Sequence, residues 1–412
     1  MNFLPSGHGH REFVTGVEHL DDLSRDVYGV LGIPIDAVDL SAVVGRIGAA
    51  MRQDQPFLIS TPNLNFLVTS QSDGELRESL LRSDLCPVDG VPIVWISRLL
   101  GIPIQMRVAG SDIFDRLKLE ASSSVKVFLF GGPEGVAETC SNVLNSQSSG
   151  VACVGSLYPG FGSVEKMSTD AIIDAINASG AGFLMASLGA QKGQAWLLRN
   201  HHRLRIPVRS HFGAALNFQA GCLRRAPLFV RRFGFEWLWR IKEEPHLWRR
   251  YFKDGLVLLR LMLTSVLPLA LGALWRDVVN DDPGLDVSCE GEQHRTIKLA
   301  GHAVERHVAK LIPMLRDQIG KSNLLTIDIS GVRAIDPRFL GLLLIARKQM
   351  AARGGRLQIW GASSRLRRAF RLNRFDFLLN PSPATDMQHG WAAAAFGRSE
   401  VAMEVSSAPG KA

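Results

Sequence analysis

Cysteine is sparse in this chain, and no motif pairs what there is. Cys86, Cys140, Cys153, Cys222 and Cys289 are scattered, odd in number and without a C-x-x-C pair. That spacing argues against a disulfide framework, a zinc ribbon or a dithiol redox centre, and it fits a reducing compartment. His201, His202 and His211 cluster without further ligands at metal-binding spacing, so solvated or core imidazoles are expected and no metal site is assigned. A complete G-x-G-x-x-G dinucleotide fingerprint, an internal repeat and a recognised nucleic-acid module are all missing, and no nucleic-acid partner is expected. Residues 1–10 lack a basic region leading into an apolar stretch, so secretion is not expected.

What is present is enough material for several cores. A length of 412 residues suggests two or three units, and 46% hydrophobic with 21% charged residues is the composition of a folded protein. Short apolar runs at 56–60, 125–130, 151–154, 182–187 and 207–210 alternate with helix-length amphipathic stretches at 72–83, 134–146, 168–178 and 191–201. This alternation predicts a Rossmann-like α/β unit with a parallel sheet. A second, smaller α/β unit is predicted from strands at 295–299, 324–329 and 356–360 and helices at 302–319, 339–352 and 363–372. The divisions are a tail over 1–27, the first unit over 28–221, an appendage over 222–279, the second unit over 280–396 and a frayed tail over 397–412.

The net charge of +8 is concentrated in the appendage. Between Cys222 and Lys253 there are nine Lys or Arg against three Glu, interleaved with Trp237, Trp239, Trp248 and Tyr251. Such a mixture suits a headgroup boundary or phosphates; a helix packed on its own domain is the alternative. Residues 255–275 are nearly all apolar and long enough to cross a bilayer, but Arg260 and Pro268 interrupt them, so an in-plane or re-entrant segment is favoured over a span.

Asp89 is the first candidate catalytic base, because the run from Cys86 to Trp95 sets its carboxylate between a strand-like and a helix-like segment. Asp-Gly is also turn chemistry, and Asp89 could instead cap the following helix. Ile59-Ser-Thr-Pro-Asn63 leaves a strand with small polar side chains at its exit, where open α/β sheets place ligands; Thr61 and Asn63 could equally satisfy the strand end. Phe130-Gly131-Gly132 closes a strand before a helix, a phosphate-holding position or a tight turn. Gly189, Gln191 and Gln194 at a second exit could hold a base or sugar. Arg107 and Asp112 could bind substrate or pair with each other.

These residues resemble the bacterial WecG/TagA/CpsF glycosyltransferases over roughly 28–253. The marks are Gly32-Ile-Pro-Ile-Asp36, Thr61-Pro-Asn63, Val88-Asp-Gly90, Arg107 with Gly110 and Asp112, Phe130-Gly-Gly132, Leu188-Gly189, Arg225-Ala-Pro227, Glu236-Trp237, Arg240 and Glu244-Pro245. The resemblance implies an inverting transfer of a hexose or N-acetylhexosamine-type sugar from a UDP-sugar to a polyprenyl-diphosphate-linked glycan acceptor. It implies Asp89 as the base, Thr61 and Arg107 in the same pocket, and Asn63, Gly90 and Asp112 on substrate. It also implies no cofactor and no metal, in keeping with the lack of an Asp-x-Asp motif, with Arg240, Arg249 and Arg250 stabilising the leaving UDP. Where the family often reads Pro-Lys-Gln-Glu, this chain has Gln191-Lys-Gly-Gln194, so Gly193 replaces a glutamine and Gln194 a glutamate.

The second unit resembles a STAS domain through 324–332 and 335–341, but Pro337 and Arg338 stand where a phosphorylated Ser or Thr would be, so an interaction module for a protein partner is expected rather than a phosphoswitch. The combined expectation is a peripheral or re-entrant enzyme of surface-glycan assembly on the cytoplasmic side of the bacterial inner membrane, with a homo-oligomer allowed. The alternative is a membrane-bound scaffold in which a degenerate transferase unit presents the STAS-like module.

Overall fold

The structure, a computed structural model, describes residues 21–119, 124–147, 149–232, 234–279, 284–290 and 295–379. Two short strands, β1 (Val27–Val30) and β2 (Ile33–Asp36), form an antiparallel hairpin whose tip holds Leu31 and Gly32 at φ 46° and 91°. Glycine adopts that conformation freely; Leu31 accepts it while its side chain is fully buried. Five further strands, β3 (Phe57–Ile59), β4 (Val125–Gly131), β5 (Val151–Leu157), β6 (Phe183–Ser187) and β7 (Val208–His211), make a wholly parallel sheet in the order β3-β7-β6-β4-β5. β3, β6 and most of β4 are apolar without alternation because helices cover both faces.

The helices Leu40–Arg52, Gly110–Leu119 and Val136–Ser146 bury Ile47, Phe114 and Leu144 against one face. Asp170–Ala178 and Ala190–Asn200 bury Ile176 and Trp196 against the other. The chain therefore leaves β4 toward one face and β6 toward the other, and these neighbouring exits form the crevice where such sheets place ligands.

A second sheet has the order β11 (Arg356–Trp360), β10 (Leu324–Ile335), β9 (Arg295–Ala303), β8 (Leu285–Glu290), with only β8 antiparallel. The stretch read as one helix over 302–319 is instead the end of β9 followed by two helices, Glu305–Val308 and Leu311–Ile319. Val304 is extended, and the Asp336 carboxylate accepts from the Glu305 N–H at 2.6 Å, so the first helix starts later than its pattern suggests.

Helix Pro337–Ala352 is buried nearly all round, including Phe339, Leu340, Leu343 and Ile345. One side covers the second sheet; the other meets β1 so closely that a β-carbon at Gly341 would lie 2.0 Å from the Val27 carbonyl oxygen. Leu23 and Val27 join the core of the second unit. Residues 21–27, expected as tail, are thus part of the junction between the units. The tail expected over 397–412 lies outside the described residues, as do 280–283 at the start of the expected second unit.

Polar groups finish that junction. Arg25 donates from Nε and Nη2 to Asp36 at 3.0 and 2.8 Å and from Nη1 to Asp22 at 2.7 Å. Lys348 pairs with Asp22 at 2.8 Å and with Asp84, whose other oxygen accepts from the Leu58 N–H at 2.7 Å on β3. Arg347 reaches Glu78 at 3.1 Å. The outer face of helix Pro337–Ala352 is consequently occupied by this chain's own first unit.

Helix Trp248–Leu261, a π-turn at Met262–Val266 and helix Leu267–Val279 follow one another without a break. This is the one stretch long and apolar enough to cross a membrane among the described residues. Part of it packs on the protein. Asn65 donates to Asp254 at 3.2 Å, Leu261 and Val266 enter the core of the first unit, and the later helix packs on Ser364–Leu372 of the second. Leu256, Leu259, Leu263, Leu267, Leu271 and Leu274 recur at helical spacing on the exposed side.

Candidate active site

Isolated parallel bridges from Ile59 to Leu85 and from Asp36 to Pro87 lay residues 85–88 beside β3 and β2. The Asp36 carboxylate accepts from the Cys86 N–H at 2.6 Å, and the Asp89 N–H donates to the Pro62 carbonyl at 2.9 Å. Asp89 is thereby fixed at the exit of β3. Helix Val91–Leu99 takes Gly90 as its N-cap with no side-chain cap, so Asp89 is not a capping residue. Gly90 sits close on Asn63: a β-carbon there would be 3.6 Å from the Asn63 Cα.

The Val108 N–H donates to the Val88 carbonyl at 2.6 Å, bringing Arg107 alongside. Gly110 meets the Phe212 ring so closely that a β-carbon would lie 2.5 Å from Cδ1, which docks the start of helix Gly110–Leu119 beside the exit of β7. Three segments distant in sequence converge there.

Arg107 lies 3.6 Å from Asp89 and 2.7 Å from Glu236 of helix Glu236–Glu243. Glu236 holds the guanidinium more tightly and leaves Asp89 incompletely neutralised. Burial pushes the Asp89 carboxyl up to about 7; Arg107 and Arg225 oppose the rise, while Glu236 and Asp112 add to it. Its side chain remains 26% exposed, enough for a reacting group to approach. Asp112 is taken by Arg225 and, at 3.5 Å, by Arg231, so of the two alternatives for Arg107 and Asp112 their pairing with each other is not formed. Arg225 also binds Asp115 and donates to the Ser111 hydroxyl at 2.8 Å. The Nε–H groups of Arg225 and Arg231 are buried without a partner among the described residues, so two donors stay unspent.

Thr61 is buried at the same strand exit. Asn63 caps helix Leu64–Thr69, its Oδ1 accepting from the Phe66 N–H at 3.2 Å, a role that leaves its amide nitrogen for other contacts. Gly131 and Gly132 have φ of 95° and 81°; a β-carbon on Gly131 would lie 2.6 Å from the Ser187 carbonyl oxygen, and Gly132 N–H donates to that oxygen at 2.6 Å. These glycines join the exits of β4 and β6. Gly189, at φ 82°, faces open space at the same crevice.

Other expected binders are engaged elsewhere. Gln191 donates to Asp73 at 2.9 Å on the surface. Gln194 is fully buried and accepts from the Ser60 hydroxyl at 3.0 Å. Arg240 pairs with Glu244 beside the Phe218 ring, while Arg249 and Arg250 lie over Trp248 and Tyr251 at 5.7 and 5.2 Å. Arg225, Arg231 and Glu236, rather than Arg249 and Arg250, meet the Asp89 cluster. Their sequence signal was present as family marks at Arg225 and Glu236, but their role was not readable before the appendage was seen folded back on the first unit.

The Gly193 departure also has a steric reason. A β-carbon at Gly193 would lie 2.1 Å from Cδ2 of His211, the last residue of β7. The imidazole fills the space a side chain at 193 would need. Its Nε2 is buried without a partner among the described residues, and burial lowers its pKa to about 4, so it is neutral.

A parallel α/β sheet carrying a pKa-raised carboxylate and a guanidinium cluster at its ligand-binding edge has the make-up of a group-transfer enzyme. The chain belongs to the Glycosyl transferase WecG/TagA/CpsF family, whose profile matches residues 28–270, and residues 290–380 match the MlaB-type STAS domain. It is 28% identical over 221 residues, 52% of this chain and 84% of the relative, to the N-acetylglucosaminyldiphosphoundecaprenol N-acetyl-beta-D-mannosaminyltransferase of Bacillus spizizenii. A Shewanella loihica protein described as having a SpoIIAA-like fold is similar at 17% identity and a TM-score of 0.18, covering 22% of this chain and 78% of that one.

Proposed function

We propose that the protein is an inverting glycosyltransferase that moves a hexose or N-acetylhexosamine-type sugar from a UDP-sugar to a polyprenyl-diphosphate-linked acceptor during surface-glycan assembly. The observation that carries this reading is the Asp89 carboxyl, raised to about 7 within reach of Arg107. Asp89 takes the proton of the acceptor hydroxyl as its oxygen bonds to the anomeric carbon; the bond from that carbon to the UDP oxygen breaks, and UDP leaves as an anion. The unspent donors of Arg225 and Arg231 stabilise that charge in place of a metal, with Arg240, Arg249 and Arg250 farther along the same appendage. Gly131, Gly132 and Gly189 line the crevice assigned to the nucleotide, and the printed activity of the Bacillus relative supports the acceptor class.

The apolar stripe rests on the cytosolic face of the inner membrane and holds the site at the depth of the acceptor's diphosphate. Asp89→Asn is expected to lower turnover by roughly 100- to 10,000-fold with donor KM little changed, read as UDP release with a short-chain lipid-diphosphate acceptor. Near-normal turnover would reject Asp89 as base.

A further inference from the structure

Helix Ser364–Leu372 of the STAS-like unit turns Leu366 and Phe370 inward and leaves Arg365, Arg367, Arg368 and Arg371 exposed. No acidic residue occurs between Trp360 and Phe375. Trp360, which ends β11 just before this helix, is 65% exposed. Arginines beside an exposed indole are the side chains that settle at a lipid headgroup layer.

Position makes the pattern specific. The arginine helix packs against both the π-turn at Met262–Val266 and helix Leu267–Val279, the segment whose outer side carries Leu263, Leu267, Leu271 and Leu274. A basic surface and an apolar stripe therefore adjoin across the two units. From Leu256 to Leu274 the stripe is about 27 Å long at 1.5 Å per residue, and its inner side is held by both units. A helix with its inner side held by the protein and an apolar outer side suits an in-plane position, and the arginine helix stands directly beside it.

We propose that Arg365, Arg367, Arg368 and Arg371 form a second membrane contact that binds anionic lipid headgroups, so that the STAS-like unit docks and orients the transferase on the bilayer. This rests on the membrane-attached reading above and assigns the STAS-like unit a lipid surface rather than a protein as its partner. Its long helix, the other obvious docking face, is already covered by the first unit.

The test is co-sedimentation of the full chain with phosphatidylcholine vesicles and with vesicles carrying about 30% phosphatidylglycerol. The wild type should bind both, and the anionic ones at least about tenfold more tightly, since each arginine near an anionic surface adds to the attraction. Arg365→Gln/Arg367→Gln/Arg368→Gln/Arg371→Gln should lose that increment, keep binding to neutral vesicles and keep transfer to a soluble short-chain acceptor. The corresponding four lysine substitutions should retain the increment, and Arg365→Gln/Arg371→Gln gives a milder version if the fourfold glutamine variant does not fold. An unchanged anionic preference in the glutamine variants overturns the proposal, as does equal wild-type binding to both vesicle types or a preference for a DNA duplex over anionic vesicles. Failure of the wild type to bind any vesicle would instead overturn the membrane-attached reading itself.

Discussion

At the scale of single residues the protein sets one carboxylate against its neighbours. A general base works deprotonated, so with Asp89 as the proposed base a pKa near 7 places the rising limb of kcat/KM against pH at about that value. Glu236→Gln removes a charge that raises Asp89 and frees Arg107 to approach it; the limb should move to lower pH, and an unmoved limb would show that Glu236 does not tune the base. The same shift bears on stability. Between the ordinary carboxylate value and about 7 the folded state binds more protons than the unfolded one, so wild-type stability declines as pH rises through that window. Asp89→Asn does not titrate. Its melting temperature should exceed that of the wild type increasingly from pH 4 to pH 8, by up to about 4 kcal/mol in stability, measured by thermal denaturation across that range. The placing of Asp89 at a strand exit with Arg107 beside it was legible in the sequence because a strand-exit pattern and family marks coincide there. Glu236 and His211 were not: their roles come from a folded-back appendage and from a ring occupying the space beside a glycine. Gly193→Ala should therefore cost about 1–3 kcal/mol by overpacking, and His211→Ala in the same chain should recover much of it, a double-mutant cycle readable by urea denaturation.

At the scale of elements, the parallel strands and most flanking helices were legible because period and length agree: predicted helices at 134–146, 168–178 and 191–201 appear as Val136–Ser146, Asp170–Ala178 and Ala190–Asn200. The β1–β2 hairpin was not. Its eight strand residues are all buried, so they show no alternation, and Leu31 at its tip is not a turn residue by type. Helix Pro337–Ala352 was found by its apolar content, yet nothing in its pattern said that the second apolar side meets β1. Gly341 is the residue that permits that approach. Gly341→Ala should lower stability by at least about 2 kcal/mol, since the methyl group would meet backbone at 2.0 Å rather than a movable side chain. A substitution without effect on the melting temperature would mean that the hairpin does not hold this position against the helix.

For the molecule as a whole, two units that look separable in sequence share one set of buried contacts. Gly29 of β1 lies against Leu340 and Phe375, and Lys348 reaches across to Asp22 and Asp84. Burial opposes ionisation of Asp22, but Lys348 and Arg25 hold its carboxyl down at about 2. A carboxylate depressed in this way stabilises the fold above its unfolded value, and that contribution fades as pH falls from about 4 toward 2. The junction should then be acid-labile, and at neutral pH the two units should melt in a single calorimetric transition. Lys348→Ala removes the cation shared by Asp84 and by Asp22, which keeps Arg25, a change that costs up to about 3–5 kcal/mol when one partner of a buried pair is removed. Asp84 also anchors the Leu58 N–H on β3, the strand whose exit holds Asp89, so the loss reaches the proposed site as well as the STAS-like unit. The expected outcome is a lower, broader melt together with reduced transfer to a soluble acceptor. Two resolved transitions in the wild type, or full activity in the destabilised variant, would show that the STAS-like unit is a passenger on the transferase rather than part of its frame.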